Sequence, residues 1–216
     1  MERDRTENTI ETTVSAFDGD ENFNVCEIDQ ALAFDNNDQE VRIKDEEGTS
    51  ELSENELLEL LDAAEEDSPQ VLELMSSSQT LQSSSSSSII SVRNNVLRFA
   101  NYLRQRRGKH PLRLDSRLTK AAQVHSEDMA RHKTISHIGS DGSSFGIRIR
   151  RTGYRYRTAA ENVAIGQKSS REVVKAWMQS PGHRRNILSS KYTEIGIGIV
   201  YAPKGPYWTQ VFARDK

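Results

Sequence analysis

The chain has 216 residues, 35% of them hydrophobic, with a formal net charge of −3 and one cysteine, Cys26. That length fits one or two domains, the apolar share is low for a chain globular throughout, and a single cysteine excludes an intramolecular disulfide. The near-neutral total hides two opposite halves. Residues 1–90 carry 24 acids and 4 bases, a net of −20, whereas residues 91–216 carry 8 acids and 25 bases, a net of +17. All eight Tyr and Trp lie in the second half, where an aromatic core can form. One domain over residues 91–216, preceded by an acidic, Ser-rich tail over 1–90, is the expected organisation.

Residues 1–50 alternate acids, Asn and Thr with isolated apolar residues and show neither helical nor strand period, so they read as disordered. The stretch before Phe23 has no apolar core of a secretory signal, and no run approaches about 18 consecutive apolar residues. As written, neither export nor a membrane span is expected, which makes the cytoplasm the default compartment. Residues 54–66 are the periodic exception. Ser53 and Glu56 form a capping-box pattern, and Leu57, Leu61 and Ala64 share a face. This reads either as a short acidic helix that docks in a partner's groove or as a transient helix with no partner. A serine-rich linker, residues 76–88, follows.

Order is expected from Ser91. Val92, Val96, Phe99 and Leu103 recur at helical spacing up to Gly108. A second helix opens at Asp115 or Ser116, with Leu118, Ala121, Ala122, His125 and Met129 on one face. His125 reads as a buried, hydrogen-bonded core residue and His132 as exposed, since no carboxylate shares their stripe. The loop from Ser136 to Gly146 carries the Asp141-Gly142 turn. Arg148, Arg150, Arg151, Arg155 and Arg157, interleaved with Tyr154 and Tyr156, read as a solvated basic face or an anionic-surface binder, without any nucleic-acid motif. A helix capped by Ser169 or Ser170 runs to the Ser180-Pro181 stop. Two strands close the domain, placing Ile195, Ile197 and Ile199 on one face and Trp208, Gln210 and Phe212 on one face. Gly196-x-Gly198 is no dinucleotide fingerprint, because no helix opens after it.

Three polar residues in apolar or Gly-rich surroundings hold most of the chemistry: His137, Glu161 and His183. Two imidazoles and a carboxylate from separate segments can hold Zn²⁺ or another divalent metal with water completing the shell. They can equally form a buried polar network that ties loops to a sheet.

The blocks AAQVHSEDMA, SHIGSDGSSFG, AENVAIG, WMQSPGHRRNIL, YTEIGIGI and YWTQVFA resemble the CAP superfamily of cysteine-rich secretory, antigen 5 and pathogenesis-related 1 proteins, in its disulfide-free bacterial-type branch. The resemblance spans about residues 93–213 and implies an α/β fold, a three-layer α-β-α sandwich around an antiparallel sheet. It implies that His137, Glu161 and His183 face a cavity, with Ser180 where the family's second Glu stands; Trp177, Asn162 and Arg184 are expected as neighbours, and so is Glu194, which the resemblance does not place there. It further implies a binding module for a divalent metal, a small lipid or a protein ligand, with a metal- or His-assisted hydrolase as the alternative, and an extracellular setting. A monomer is expected, with the acidic tail folding back on the basic domain.

Overall fold

The computed structural model describes residues 32–35, 52–66 and 81–216, with the side chains of 32–35, 66 and 81–87 left aside. Most of the expected disordered tail, at 1–31, 36–51 and 67–80, lies outside the described residues. In chain order the elements are β1 (Leu32–Asp35), α1 (Glu54–Glu66), α2 (Leu81–Arg106), β2 (Arg113–Leu114), α3 (Ser116–His132), α4 (Phe145–Arg151), β3 (Tyr156–Ile165), α5 (Ser170–Gln179), α6 (Pro181–Leu188), β4 (Glu194–Ala202) and β5 (Gly205–Asp215). The sheet runs β1-β3-β5-β4-β2. It is antiparallel except at its short edge, where β2 pairs parallel to β4.

Helices cover both faces, as the three-layer reading expects. On one side α2, α5 and α6 bury Phe99, Leu103, Trp177 and Ile187 against Ile195, Ile197, Ile199, Trp208 and Phe212. On the other, α3 and α4 bury Leu118, Ala122, Phe145 and Ile149 against Ala159, Val211 and Ala213. Strand alternation sets this partition: odd positions of β4 face the thick aromatic layer, and its even positions, Gly196 and Gly198, face α3.

The two glycines are there for close approach. A Cβ on Gly196 would lie 2.1 Å from the Leu118 backbone carbon, and one on Gly198 would lie 2.4 Å from that of Ala122. The helix backbone therefore rests directly on the strand. Asp115 starts that helix, its carboxylate accepting from the Arg117 and Leu118 amides, and Lys133 ends it in a left-handed conformation.

Several elements depart from the sequence reading, among them β1, which pairs with β3 although residues 1–50 read as disordered, and β3 itself, where no strand was expected. The α2 helix starts at Leu81, so the boundary expected at residue 91 falls inside it. Residues 145–151, read as part of a basic face, form α4, capped by Ser144. The helix over 54–66 is not partnerless. Leu57, Leu61 and Ala64 are buried in the main core against α2 and α5, so apolar burial stabilises it where propensity alone would not.

Gly196→Ala is expected to force α3 off the sheet and destabilise the fold by about 2 kcal/mol or more, since the clash is with backbone that no rotamer change relieves. Urea denaturation checks this. An unchanged midpoint would show that α3 has room to shift.

Candidate functional site

Alternation along β3 sends Glu161 toward α3 and α4, and Asn162 toward α6. Glu161 is fully buried. Such a carboxylate needs compensation, and it comes from an element the sequence reading placed on the surface. Arg148 Nη2 donates to Oε2 at 2.8 Å and to Oε1 at 3.0 Å. The same guanidinium donates to the carbonyls of Ser143 at 2.6 Å and His137 at 3.1 Å, tying the 133–144 loop to the pair. His137 Nδ1 donates to Oε1 at 3.0 Å. His125 lies on the far side, with Nε2 3.8 Å from Oε1 and 2.7 Å from the Ser136 carbonyl. A carbonyl only accepts, so Nε2 carries the proton of a neutral His125.

Burial alone would raise the Glu161 pKa, but the charge of Arg148, helped by His125 and His137, outweighs it and holds the carboxyl down to about 2. Burial pushes His125 below its ordinary range, only partly offset by Glu161. The result is an ionised carboxylate, a guanidinium and a neutral imidazole, all buried.

The expected triad does not assemble as a ligand set. Glu161 spends both oxygens on Arg148 and one on His137. Among the described residues, no group of three or more His, Cys, Asp or Glu side chains is placed to hold a metal ion. His183, third residue of α6, is buried, and its backbone carbonyl accepts from Asn162 Nδ2 at 3.2 Å. Asn162 also donates to Gln210 Oε1 at 3.1 Å, and Asn186 Nδ2 donates to Asn162 Oδ1 at 2.8 Å. This amide ladder fastens α6 to the sheet. Arg148 and His137 already take up the Glu161 oxygens, so this carboxylate has no uncommitted oxygen to offer a cation.

The neighbours expected around the cavity separate in the same way. Trp177 Nε1 donates to the Val163 carbonyl at 3.2 Å, and Arg184 Nη1 to the Met178 carbonyl at 3.1 Å. Ser180 is the junction between α5 and α6 and sits just ahead of Pro181 at the start of α6. Glu194 belongs elsewhere: Arg113 holds it at 3.1 Å and the Tyr154 hydroxyl donates to it, away from Glu161.

The sequence reading missed Arg148 and the nearness of His125. The remaining arginines of that run disperse. Arg150 bonds the Tyr156 hydroxyl, Arg151 pairs with Asp141 at 2.5 Å, and Arg155 and Arg157 point to solvent. A groove of about 400 Å³ opens between α3, the 133–144 loop and α4. Ala121, Val124, Lys120, Glu127, Asp128 and Arg131 line one wall, Ser140 and Asp141 the other, and Arg148 joins it to the buried cluster.

The family model described as "CAP: Cysteine-rich secretory protein family" matches residues 97–212. The uncharacterized protein YkwD of Bacillus subtilis (strain 168) is 42% identical over 130 residues, which cover 60% of this chain and 49% of that protein. The uncharacterized membrane protein YlbC of the same strain is 30% identical over 119 residues, 55% of this chain and 33% of that one. The chain thus spans about half or less of the length of the curated relatives it matches. Among solved structures, an extracellular protein containing a SCP domain from Bacillus anthracis superposes with a TM-score of 0.56 at 26% identity, covering 65% of this chain and 45% of that one. A cysteine-rich secretory protein from Staphylococcus aureus, at 23% identity and a TM-score of 0.50, shares the fold over 59% of this chain and 39% of its own.

Two expectations follow from the cluster. Arg148→Met strands a buried carboxylate and is expected to cost about 3–5 kcal/mol, and adding Glu161→Gln should recover part of that, because a neutral amide needs no cation. Equal stability of the single and double variants in urea would overturn the pairing argument. Both shifted groups also make the fold acid-sensitive. The unfolded chain protonates His125 and Glu161 more readily than the folded chain does, so their stabilisation is complete above pH 6.5. It falls first as His125 titrates, then between pH 4.5 and about 2 as Glu161 does. Denaturation midpoints measured from pH 7 to 3 check this, and His125→Gln should remove the upper step.

Proposed function

The chain belongs to the CAP family of cysteine-rich secretory proteins, and we propose that it acts as a binding module whose ligand enters the groove between α3 and α4. The observation carrying this reading is the saturation of Glu161. With its oxygens held by Arg148 and His137, the cluster works as the rigid floor of a binding site.

The groove's chemistry favours a small ligand with an apolar body and an acceptor head. Ala121, the half-exposed Val124 and the methylene stems of Lys120 and Arg131 offer the apolar wall. The Nε–H of Arg148 is buried and has no acceptor among the described residues, so an oxygen reaching it would satisfy a donor that otherwise goes unpaired. A carboxylate on an aliphatic chain fits both demands. The structural relatives described as extracellular and as secretory favour the extracellular setting over the cytoplasmic default. No helix among the described residues is long and apolar enough to cross a membrane.

Decanoate serves as the probe. It is expected to shift the amide resonances of α3 and α4 in a saturable way, with Val124→Glu weakening binding about tenfold while leaving the unliganded fold unchanged. Absence of saturable shifts, or an unaffected variant, would remove this reading. In parallel, calorimetric titration with ZnCl₂ at neutral pH is expected to give no stoichiometric uptake. Stoichiometric binding that His137→Ala abolishes would restore the metal site.

A further inference from the structure

A helix that lies before the family-matched segment occupies a groove made by α5, inside that segment, and α2, which straddles its start. The match begins at residue 97, whereas α1 ends at Glu66 and rests against α2 and α5. Leu57, Leu61 and Ala64 fill the seam and are no more than 2% exposed. The rim is basic and complements the acidic helix. Lys175 Nζ holds Glu54 at 2.8 Å, Arg171 pairs with Asp62, and Arg98 Nη1 caps the helix end on the Ala64 carbonyl at 2.6 Å.

We propose that the α2–α5 groove is a docking site for an acidic amphipathic helix of another protein, with α1 as its tethered occupant in the resting chain. An apolar seam flanked by cations is the arrangement by which grooves read helices as i, i+4, i+7 anchors. The occupant defines the pattern a partner must carry: two leucines four apart, a small residue three further on, and acids beside Lys175 and Arg171.

Three features make α1 exchangeable. At 13 residues it is marginal as an isolated helix, so its place depends on the groove. Ser53 and Glu56 close a reciprocal capping box, with the Ser53 amide donating to Oε2 at 2.9 Å, so the helix starts without help from the domain. Its ion pairs have acids that are 61% and 63% exposed, where salt screens them. Fourteen residues, 67–80, separate α1 from α2 in the sequence, so α1 stays covalently attached to the domain. A partner competes against a local concentration in the mM range.

The test uses the full chain carrying Leu57→Asp and Leu61→Asp, which empties the groove, and a fluorescent peptide of residues 52–66 as probe. The emptied chain is expected to bind the probe at least about tenfold more tightly than the unmodified chain, with affinity falling as salt is raised. Adding Arg171→Glu and Lys175→Glu should abolish binding, and a probe with Glu54→Lys and Asp62→Arg should regain it. A folded, emptied chain that ignores the probe overturns the proposal. So does a dimeric unmodified chain that the probe dissociates, since the occupant would then be a second copy. If the emptied chain fails to fold, hydrogen exchange of the unmodified chain decides. Faster opening of α1 than of α2 and α5 supports exchange, and opening together with the whole domain overturns it.

Discussion

A carboxylate buried in the middle of a strand adds a charged tie between elements that already pack against one another through apolar side chains. Glu161 can stay ionised there only while Arg148 stands over it, and Arg148 can stand there only while α4 is formed and the 133–144 loop gives it carbonyls. Each condition supports the others. Loss of the guanidinium would leave a desolvated anion, and loss of the carboxylate would leave a desolvated cation. The loop, the short helix and the strand therefore keep one relative geometry, and His137 takes its orientation from the same carboxylate oxygen. The groove above inherits its shape from this pair.

The two faces of the sheet solve different packing problems. On the α3 side, glycines at 196 and 198 bring helix backbone against strand, which leaves no slack for a cavity beneath the helix. On the α2–α5 side, Ile, Trp and Phe side chains build a thick layer, and α1 packs its apolar face on the helices above it. The ligand-sized groove therefore lies at the rim of the thin layer, while the helix-sized groove lies over the thick one.

Much of this was legible in the sequence because periodicity reports burial. The alternation of Ile195, Ile197 and Ile199, the cap at Asp115 and the stop before Pro181 each rest on local physics, and each stands in the structure. The family blocks carried the layer order. What stayed hidden was long-range. Arg148 looks like its neighbours Arg150 and Arg151 in sequence, and only the helical turn of α4 separates one inward guanidinium from two outward ones. The β3 strand was hidden for the matching reason: its inward positions include Glu161 and Asn162, which break an apolar alternation. His125 was read correctly as buried and bonded, yet the carboxylate beside it comes from another element, beyond the reach of any stripe on its own helix.

The charge asymmetry of the chain acquires a structural meaning at α1. A net −20 before residue 91 and +17 after it could act only through diffuse attraction, which salt removes within about a Debye length. At α1 the attraction becomes specific, because Glu54 and Asp62 sit at fixed offsets from Leu57 and Leu61 and meet Lys175 and Arg171 only in one register. The apolar seam supplies affinity that charge alone lacks, and the charges supply the register that an apolar seam alone leaves loose. A substitution that spared both leucines but exchanged the acids for bases would keep the hydrophobic drive and lose the alignment. The acidity of this segment is therefore a specification for a surface on the same chain.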